Sequence, residues 1–278
     1  MIHLIDAGNR DIYGRELVDL HRARKRVFVD ELGWALPVRD DGGEWDEYDD
    51  ERAAQTVGFD ADGRVVMNVR IRPTDDGHVM LTQHFSHALW PDAGPICGPD
   101  TWEVSRGLSL EAGYRRHDLR RKATCMLGAL EVALAGGARR LVGLSDLPMF
   151  PFLLTMGWRL AFLGDPVSYG QGDAAAFQVE VSEDAVEAMR AAWNLPNPSH
   201  VRLSPDLVGN MCPLAFAQGL PDLDPRWAEL APQPGAPLRP VALRLARREN
   251  KRALAQVGES QRALREYARG VNPSAATG

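Results

Sequence analysis

Cysteine is scarce. Cys97, Cys125 and Cys212 are odd in number, far apart and outside any CxxC spacing, which excludes a disulfide framework and gives no zinc site. No metal is expected. Long hydrophobic runs are also missing: no apolar stretch reaches the roughly 18 residues of a membrane span. The opening MIHLIDAGNRDIYGRE carries charges where a secretion signal needs an apolar core. The expectation is a cytoplasmic protein with reduced thiols and no membrane span. Lysine is nearly absent, with Lys25, Lys122 and Lys251 the only three among 32 basic residues; this reads as genome composition rather than selected guanidinium chemistry. What remains is ordinary, 45% hydrophobic and 25% charged, so a wholly disordered, collagenous or fibrous chain is excluded. At 278 residues, one main domain with an appendage is expected.

Strand-like and helix-like stretches alternate, which favours an α/β layered domain. Strands are expected at 3–5, 54–59, 64–72, 102–110, 141–144, 158–163 and 175–181, and helices at 11–31, 117–135, 147–156 and 183–193. The strands at 54–59 and 64–72 form a hairpin through the Asp/Gly turn at 60–63. Between the first helix and that hairpin, residues 37–52 are acidic, Gly-containing and poor in apolar side chains, and so must be loop or lid. The domain is expected to end at 194. After it, ten of the 19 prolines fall between 196 and 240, excluding long regular structure there. A basic helix follows at 241–268. Residues 239–269 carry nine Arg/Lys and only Glu249, Glu259 and Glu266, so this segment is strongly positive while the whole chain is −6.

Four clusters carry candidate chemistry, each with a plain structural alternative. Arg24 and Phe28 are four apart and share a helix face, with Trp34 just beyond; they are either core plus a snorkelling arginine or a wall for a cationic ligand. Glu44, Asp46 and Asp49 are either a solvated loop or carboxylates around such a ligand. Arg70, on the polar face of its strand, faces either that loop or a substrate. In WEVSR at 102–106, extended geometry puts Glu103 and Ser105 on one face and Trp102, Val104 and Arg106 on the other. Glu103 and Arg106 then serve one pocket only if a bulge intervenes; otherwise they are an edge-strand ion pair of little worth.

Taken together, Arg24, Phe28, Trp34, Glu44, Asp46, Asp49, Arg70 in RIRPT, and Glu103 and Arg106 in WEVSR resemble the signature of the acyl-homoserine-lactone synthases, the autoinducer synthases of bacterial quorum sensing. The resemblance spans residues 1–190 and includes Pro73-Thr74, MLTQHF and Gly157-Trp158. It implies a GNAT-like three-layer αβα fold with a mixed, twisted sheet, followed at 195–278 by a Pro-rich and basic helical extension about which it says nothing. It also implies a reaction. An acyl group moves from a phosphopantetheine thioester, on acyl carrier protein or coenzyme A, to the α-amine of S-adenosylmethionine, whose carboxylate then displaces methylthioadenosine to close the lactone. No cofactor is implied, because both small molecules are substrates.

By the same resemblance Glu103 is the base candidate and Arg106 a donor toward the pantetheine or the thioester region. Arg24, Asp46, Asp49 and Arg70 order the acidic loop around the nucleotide, with Glu44 and Ser105 beside them and Phe28 and Trp34 lining the pocket. Candidate acyl-pocket residues are Gly143, Met149, Phe152 and Leu153; Gly143 has no hydroxyl to bond a 3-oxo group, so chains without one are expected. YRRHDLRR at 114–121 lacks the Gly-rich pyrophosphate loop of ordinary coenzyme-A acetyltransferases. Its basic residues, from Arg115 to Lys122, are either a solvated helix end or a steering patch for an acidic donor. Two other readings stay open: a GNAT-like N-acyl-amino-acid synthase that does not lactonise, and a degenerate fold whose basic tail binds nucleic acid or a partner. Nucleic acid is not an expected partner of the enzyme readings, and a homo-oligomer through the extension is a further expectation.

Overall fold

The computed structural model describes residues 2–60, 62–110, 116–170, 172–197 and 199–202. Of the expected Pro-rich linker everything from 203 on, together with the basic helix at 241–268 and Cys212, lies outside the described residues. Eight strands form one sheet: β1 (Ile2–Ile5), β2 (Ala54–Phe59), β3 (Val65–Pro73), β4 (Thr101–Ser109), β5 (Arg140–Asp146), β6 (Leu160–Phe162), β7 (Val167–Ser168) and β8 (Asp173–Glu180). Their order is β1-β2-β3-β4-β5-β8-β6, with β7 also on β8. Every pairing is antiparallel except β4 with β5, whose parallel join requires the helical crossover between them. The helices are α1 (Gly14–Arg24), α2 (Met80–His84), α3 (Arg116–Ala135), α4 (Phe150–Leu153) and α5 (Glu183–Trp193).

α3 shows why the layers form. Leu119, Ala123, Leu127, Leu130 and Ala133 recur at helical spacing and are all buried, so one stripe of the helix packs on the sheet. They join Met67, Val69 and Ile71 of β3, Val104 of β4 and Met189 and Trp193 of α5 in the main core. The opposite sheet face receives α1 with the turns flanking it, where Tyr13 before the helix, Leu20 within it and Phe28 after it meet Val57, Phe59 and Leu108. The result is the three-layer αβα arrangement with a mixed sheet. α5 begins at Ser182, whose hydroxyl accepts from the Ala185 N–H at 3.2 Å, and ends on the left-handed Asn194.

Several expectations are corrected. The helix expected at 147–156 is a 3₁₀ turn, Leu147–Met149, followed by one turn of α4, because Pro148 and Pro151 cannot donate to a longer helix. The strand expected at 158–163 shrinks to Leu160–Phe162, while α2 and β7 were not foreseen. The domain also runs past 194. Val201 pairs with β1, exchanging hydrogen bonds with Ile2 and Leu4 at 2.9 and 2.8 Å, and Arg202 bonds Asp6 at 2.7 and 2.9 Å. Ser199 donates to Glu131 of α3 at 2.5 Å. The chain after α5 thus covers the outer edge of β1. Among the described residues, no helix is long and apolar enough to cross a membrane.

Candidate active site

Two local irregularities set the site. The first is at the end of α1, where the helix widens into a π-helical segment, Lys25–Glu31. Such widening is frequent at functional sites. Ion pairs five apart in sequence, Lys25 with Asp30 at 2.8 Å and Arg26 with Glu31 at 2.9 Å, follow from the wider turn. Phe28 lies within it, buried, and stacks on Trp34 with ring centroids 5.0 Å apart. Tyr169 meets Trp34 edge-on at 5.9 Å.

The second irregularity is in β4. Pairing with β3 runs Arg70↔Ser105, then resumes at Asn68↔Leu108, so β4 holds one extra residue. Arg106 takes it up with φ of +51°, a left-handed conformation costing about 1–3 kcal/mol for a residue with a side chain. The Asn68 side-chain amide donates to the Arg106 carbonyl at 3.2 Å and pins the bulge. The alternation that would send Arg106 to the far face is thereby broken, and it joins Arg70 and Ser105.

The outcome is a closed ring of six alternating charges. Glu44 accepts from Arg24 Nε at 2.6 Å. Arg24 grips Asp49 with both terminal nitrogens at 2.6 and 2.9 Å, and Asp49 meets Arg70 at 3.0 Å. Arg70 donates to both oxygens of Asp46, through Nη2 at 3.0 Å and through Nη1. Asp46 meets Arg106 at 2.7 Å, and Arg106 returns to Glu44 at 3.0 Å. Arg24, Glu44 and Arg70 are wholly buried, with side-chain exposures of 0%, 0% and 1%. Each carboxylate bridges two guanidiniums, which offsets the cost of taking six charges out of water. Burial opposes ionisation of Asp49, but Arg24 and Arg70 outweigh it and hold that carboxyl well below the usual range. Arg70 is likewise held charged against its burial by Asp49 and Asp46. Arg70 also donates to Ser105 Oγ at 3.0 Å.

The acidic stretch expected as loop or lid is therefore stitched down. The Glu44 N–H donates to the His21 carbonyl at 2.9 Å, and His21 Nδ1 bonds the Glu44 carbonyl at 2.8 Å. His21 stacks on Trp45 at 3.4 Å, and Arg39 covers Trp45 at 4.1 Å. Burial and the nearby Arg24 push His21 down to about 4, so it is neutral.

Glu103 stands apart from the ring. It is buried, and its two oxygens accept the backbone N–H groups of Met80 and Leu81 at 3.0 and 2.7 Å. Burial raises its pKa, against those two N–H groups and the charges of Arg70 and Arg72. Arg106 points one terminal nitrogen at Met80 Sδ, 3.7 Å away, and lies 5.7 Å from the Phe28 ring centre. The two residues thus flank Met80 without touching one another.

On the other side, β4 pairs with β5 only over Thr101–Val104 and Arg140–Gly143; Ser105–Ser109 have no β5 partner. The central strands part at Gly143. A Cβ there would lie 2.7 Å from the Val104 carbonyl oxygen and 3.3 Å from the Phe177 ring, so no side chain fits without movement. Of the other acyl-pocket candidates, Met149 is exposed, Leu153 belongs to the main core, and the Phe152 ring lies edge-on to Trp193 of α5 at 5.8 Å. Phe150, which the sequence did not single out, packs on Phe177 at 5.8 Å and so borders the Gly143 rung. In the basic stretch, Arg115 lies outside the described residues, while Arg120 donates to the Asn194 carbonyl and Arg121 to that of Phe59. Sequence reading also missed Asn68, His21, Trp45 and Tyr48, whose ring centre lies 5.7 Å from the Arg70 guanidinium. Their signal, polar or aromatic residues at buried positions, emerges only once burial is known.

Solved structures of the same shape define the class. A CoA-dependent acyl-homoserine lactone synthase, BjaI, solved with SAM and isopentyl-CoA, matches with a TM-score of 0.65 at 26% identity, covering 78% of this chain and 98% of its own. TofI, solved in a ternary complex with an inhibitor and MTA, matches with a TM-score of 0.57 at 27% identity, over 72% of this chain and 99% of its own. The protein is an acyltransferase-type enzyme of that fold. The family pattern described as Autoinducer synthase matches residues 10–189, and the chain belongs to that family. Its relatives include the isovaleryl-homoserine lactone synthase of Bradyrhizobium diazoefficiens, 28% identical over 221 residues, which are 78% of this chain and 98% of the relative. An acyl-homoserine-lactone synthase of Rhizobium etli is 32% identical over 147 residues, 52% and 68% of the two chains.

Proposed function

We propose that the enzyme transfers an acyl group from a phosphopantetheine thioester to the α-amine of S-adenosylmethionine and then lactonises the product to an N-acyl-L-homoserine lactone. The observation that carries this reading is the closed charge ring beside the Phe28–Trp34 stack, which sets aromatic faces and polar groups next to one another as a substrate with a sulfonium, an ammonium and a carboxylate requires. In the first step the amine nitrogen bonds the thioester carbon, the C–S bond breaks and the thiolate takes up a proton. In the second, a carboxylate oxygen bonds the methionine γ-carbon, and the bond from that carbon to the sulfonium breaks to release methylthioadenosine.

Glu103 is the base in this scheme. An α-amine titrates near ~8, so a carboxylate accepting its proton directly or through water has a modest task. Arg106 is the donor facing the thioester, through the nitrogen that among the described residues meets only the weak acceptor of Met80. Arg24, Glu44, Asp46, Asp49, Arg70 and Ser105 shape the nucleotide side, with Phe28 and Trp34 as its wall. The likeness to CoA-dependent synthases favours coenzyme A over acyl carrier protein as donor, and Gly143, with Phe177 and Phe150 beside it, favours chains lacking a 3-oxo group.

The test is product analysis by mass spectrometry after incubating purified enzyme with S-adenosylmethionine and a series of acyl-CoA and acyl-carrier-protein donors. Acyl-homoserine lactone and methylthioadenosine in equal amounts are expected. An open-chain acyl amino acid without methylthioadenosine would replace this reading with the non-lactonising synthase, and no affinity for S-adenosylmethionine would favour the degenerate fold.

A further inference from the structure

Arg72 lies outside the charge ring yet is as deeply engaged. Its side chain is 4% exposed, and every nitrogen is used. Nε and Nη2 both bond Asp50 Oδ2, at 3.0 and 2.7 Å. The Asp76 carboxylate accepts from Nη1 at 3.0 Å and from Nη2 at 2.6 Å. Nη1 also donates to the carbonyls of Pro73 and His78, each at 2.9 Å. Asp50 lies near the end of the acidic stretch that carries Asp46 and Asp49. Asp76 and His78 belong to the turn leading into α2, whose first two N–H groups hold Glu103. Across the ladder, Arg72 is paired with Glu103 itself.

We infer that Arg72 is a positioning residue for the reaction, clamping the acidic loop and the Met80–Leu81 cradle of Glu103 into one unit and setting the ionisation of that carboxylate. The inference rests on Glu103 acting as base. Two separate effects follow. Through Asp50 the clamp holds the loop that shapes the nucleotide site. Through the 76–80 turn and its own charge it fixes where Glu103 sits and how readily it takes a proton. The groups facing Glu103 are Arg70 and Arg72 on β3, the Met80 and Leu81 N–H groups on α2, Tyr48 from the acidic loop, and apolar Val142 opposite on β5. Arg72 favours the carboxylate, so its removal raises the Glu103 pKa and moves the acid limb of the rate profile to higher pH.

The experiment measures kcat and KM for S-adenosylmethionine across pH 5–9 for the full chain and for Arg72→Gln, Arg72→Lys, Asp50→Asn and Glu103→Gln, with melting curves for each. For Arg72→Gln, kcat is expected to fall about tenfold and the acid limb of kcat to rise by about half a pH unit or more. Arg72→Lys should keep the limb near its wild-type position, because the charge remains while the fork geometry is lost. Asp50→Asn should raise KM several-fold with the limb unmoved. If Arg72→Gln only lowers the melting temperature, with the limb and kcat of the folded fraction unchanged, Arg72 is merely structural and the inference fails. If Glu103→Gln keeps wild-type turnover, the base assignment fails instead, whatever Arg72 does.

Discussion

Replacing Arg24 by Met tests the charge ring most directly. Arg24 bonds Glu44 at 2.6 Å and grips Asp49 at 2.6 and 2.9 Å, with no exposed side-chain surface. Met fills much of the same volume, so the cavity cost is small and the loss is electrostatic. The ring changes from neutral to −1, with Glu44 left to Arg106 and Asp49 to Arg70. Breaking a buried pair by removing one partner costs about 3–5 kcal/mol, a large part of the roughly 5–15 kcal/mol that holds a domain together. The double variant Arg24→Met/Asp49→Asn restores neutrality, and a coupling of about 1–3 kcal/mol should return. Urea unfolding followed by tryptophan fluorescence reads both. The single variant lying within about 1 kcal/mol of wild type, or strict additivity in the double, would refute the closed ring.

Acid should weaken the fold through His21. Its folded pKa is about 4 against an ordinary 6.5, so the unfolded chain binds the extra proton and stability is lost as pH falls from about 6.5 toward 4, by up to about 3 kcal/mol. Asp49, held low by Arg24 and Arg70, extends the loss to more acidic pH. Denaturant titrations at stepped pH check this, and His21→Gln should flatten the window above pH 4. Gly143→Ala places a Cβ 2.7 Å from the Val104 carbonyl oxygen and should cost about 1–3 kcal/mol; an unchanged melting temperature would mean the strands part more widely there. Glu103→Gln should fold and lose about 10²–10⁴-fold in acylation rate, measured as thiol release.

Much of this protein was legible in its sequence because the signals were local. The helix expected at 117–135 is α3, Arg116–Ala135, whose Leu119, Ala123, Leu127 and Leu130 stand at helical spacing in the sequence. The alternation of Met67, Val69 and Ile71 with Asn68, Arg70 and Arg72 gave β3 one apolar and one charged face. The residue types of the ring were likewise visible as a family resemblance, since their order and spacing along the chain survive without coordinates.

Tertiary structure decided how those residues meet. Strict strand alternation separates Arg106 from Ser105, and only the extra residue in β4, held at φ of +51°, reunites them; such a bulge depends on pairing with β3 and on Asn68, neither of which is local. The same holds for Arg72, an unremarkable strand arginine until Asp50 and Asp76, from two separate loops, close on it. Glu103, too, becomes a cradled carboxylate only because α2, a helix too short for periodicity to reveal, presents its first N–H groups there. Sequence fixes which face a side chain takes where the backbone is regular, and burial and long-range pairing decide it where the backbone bends.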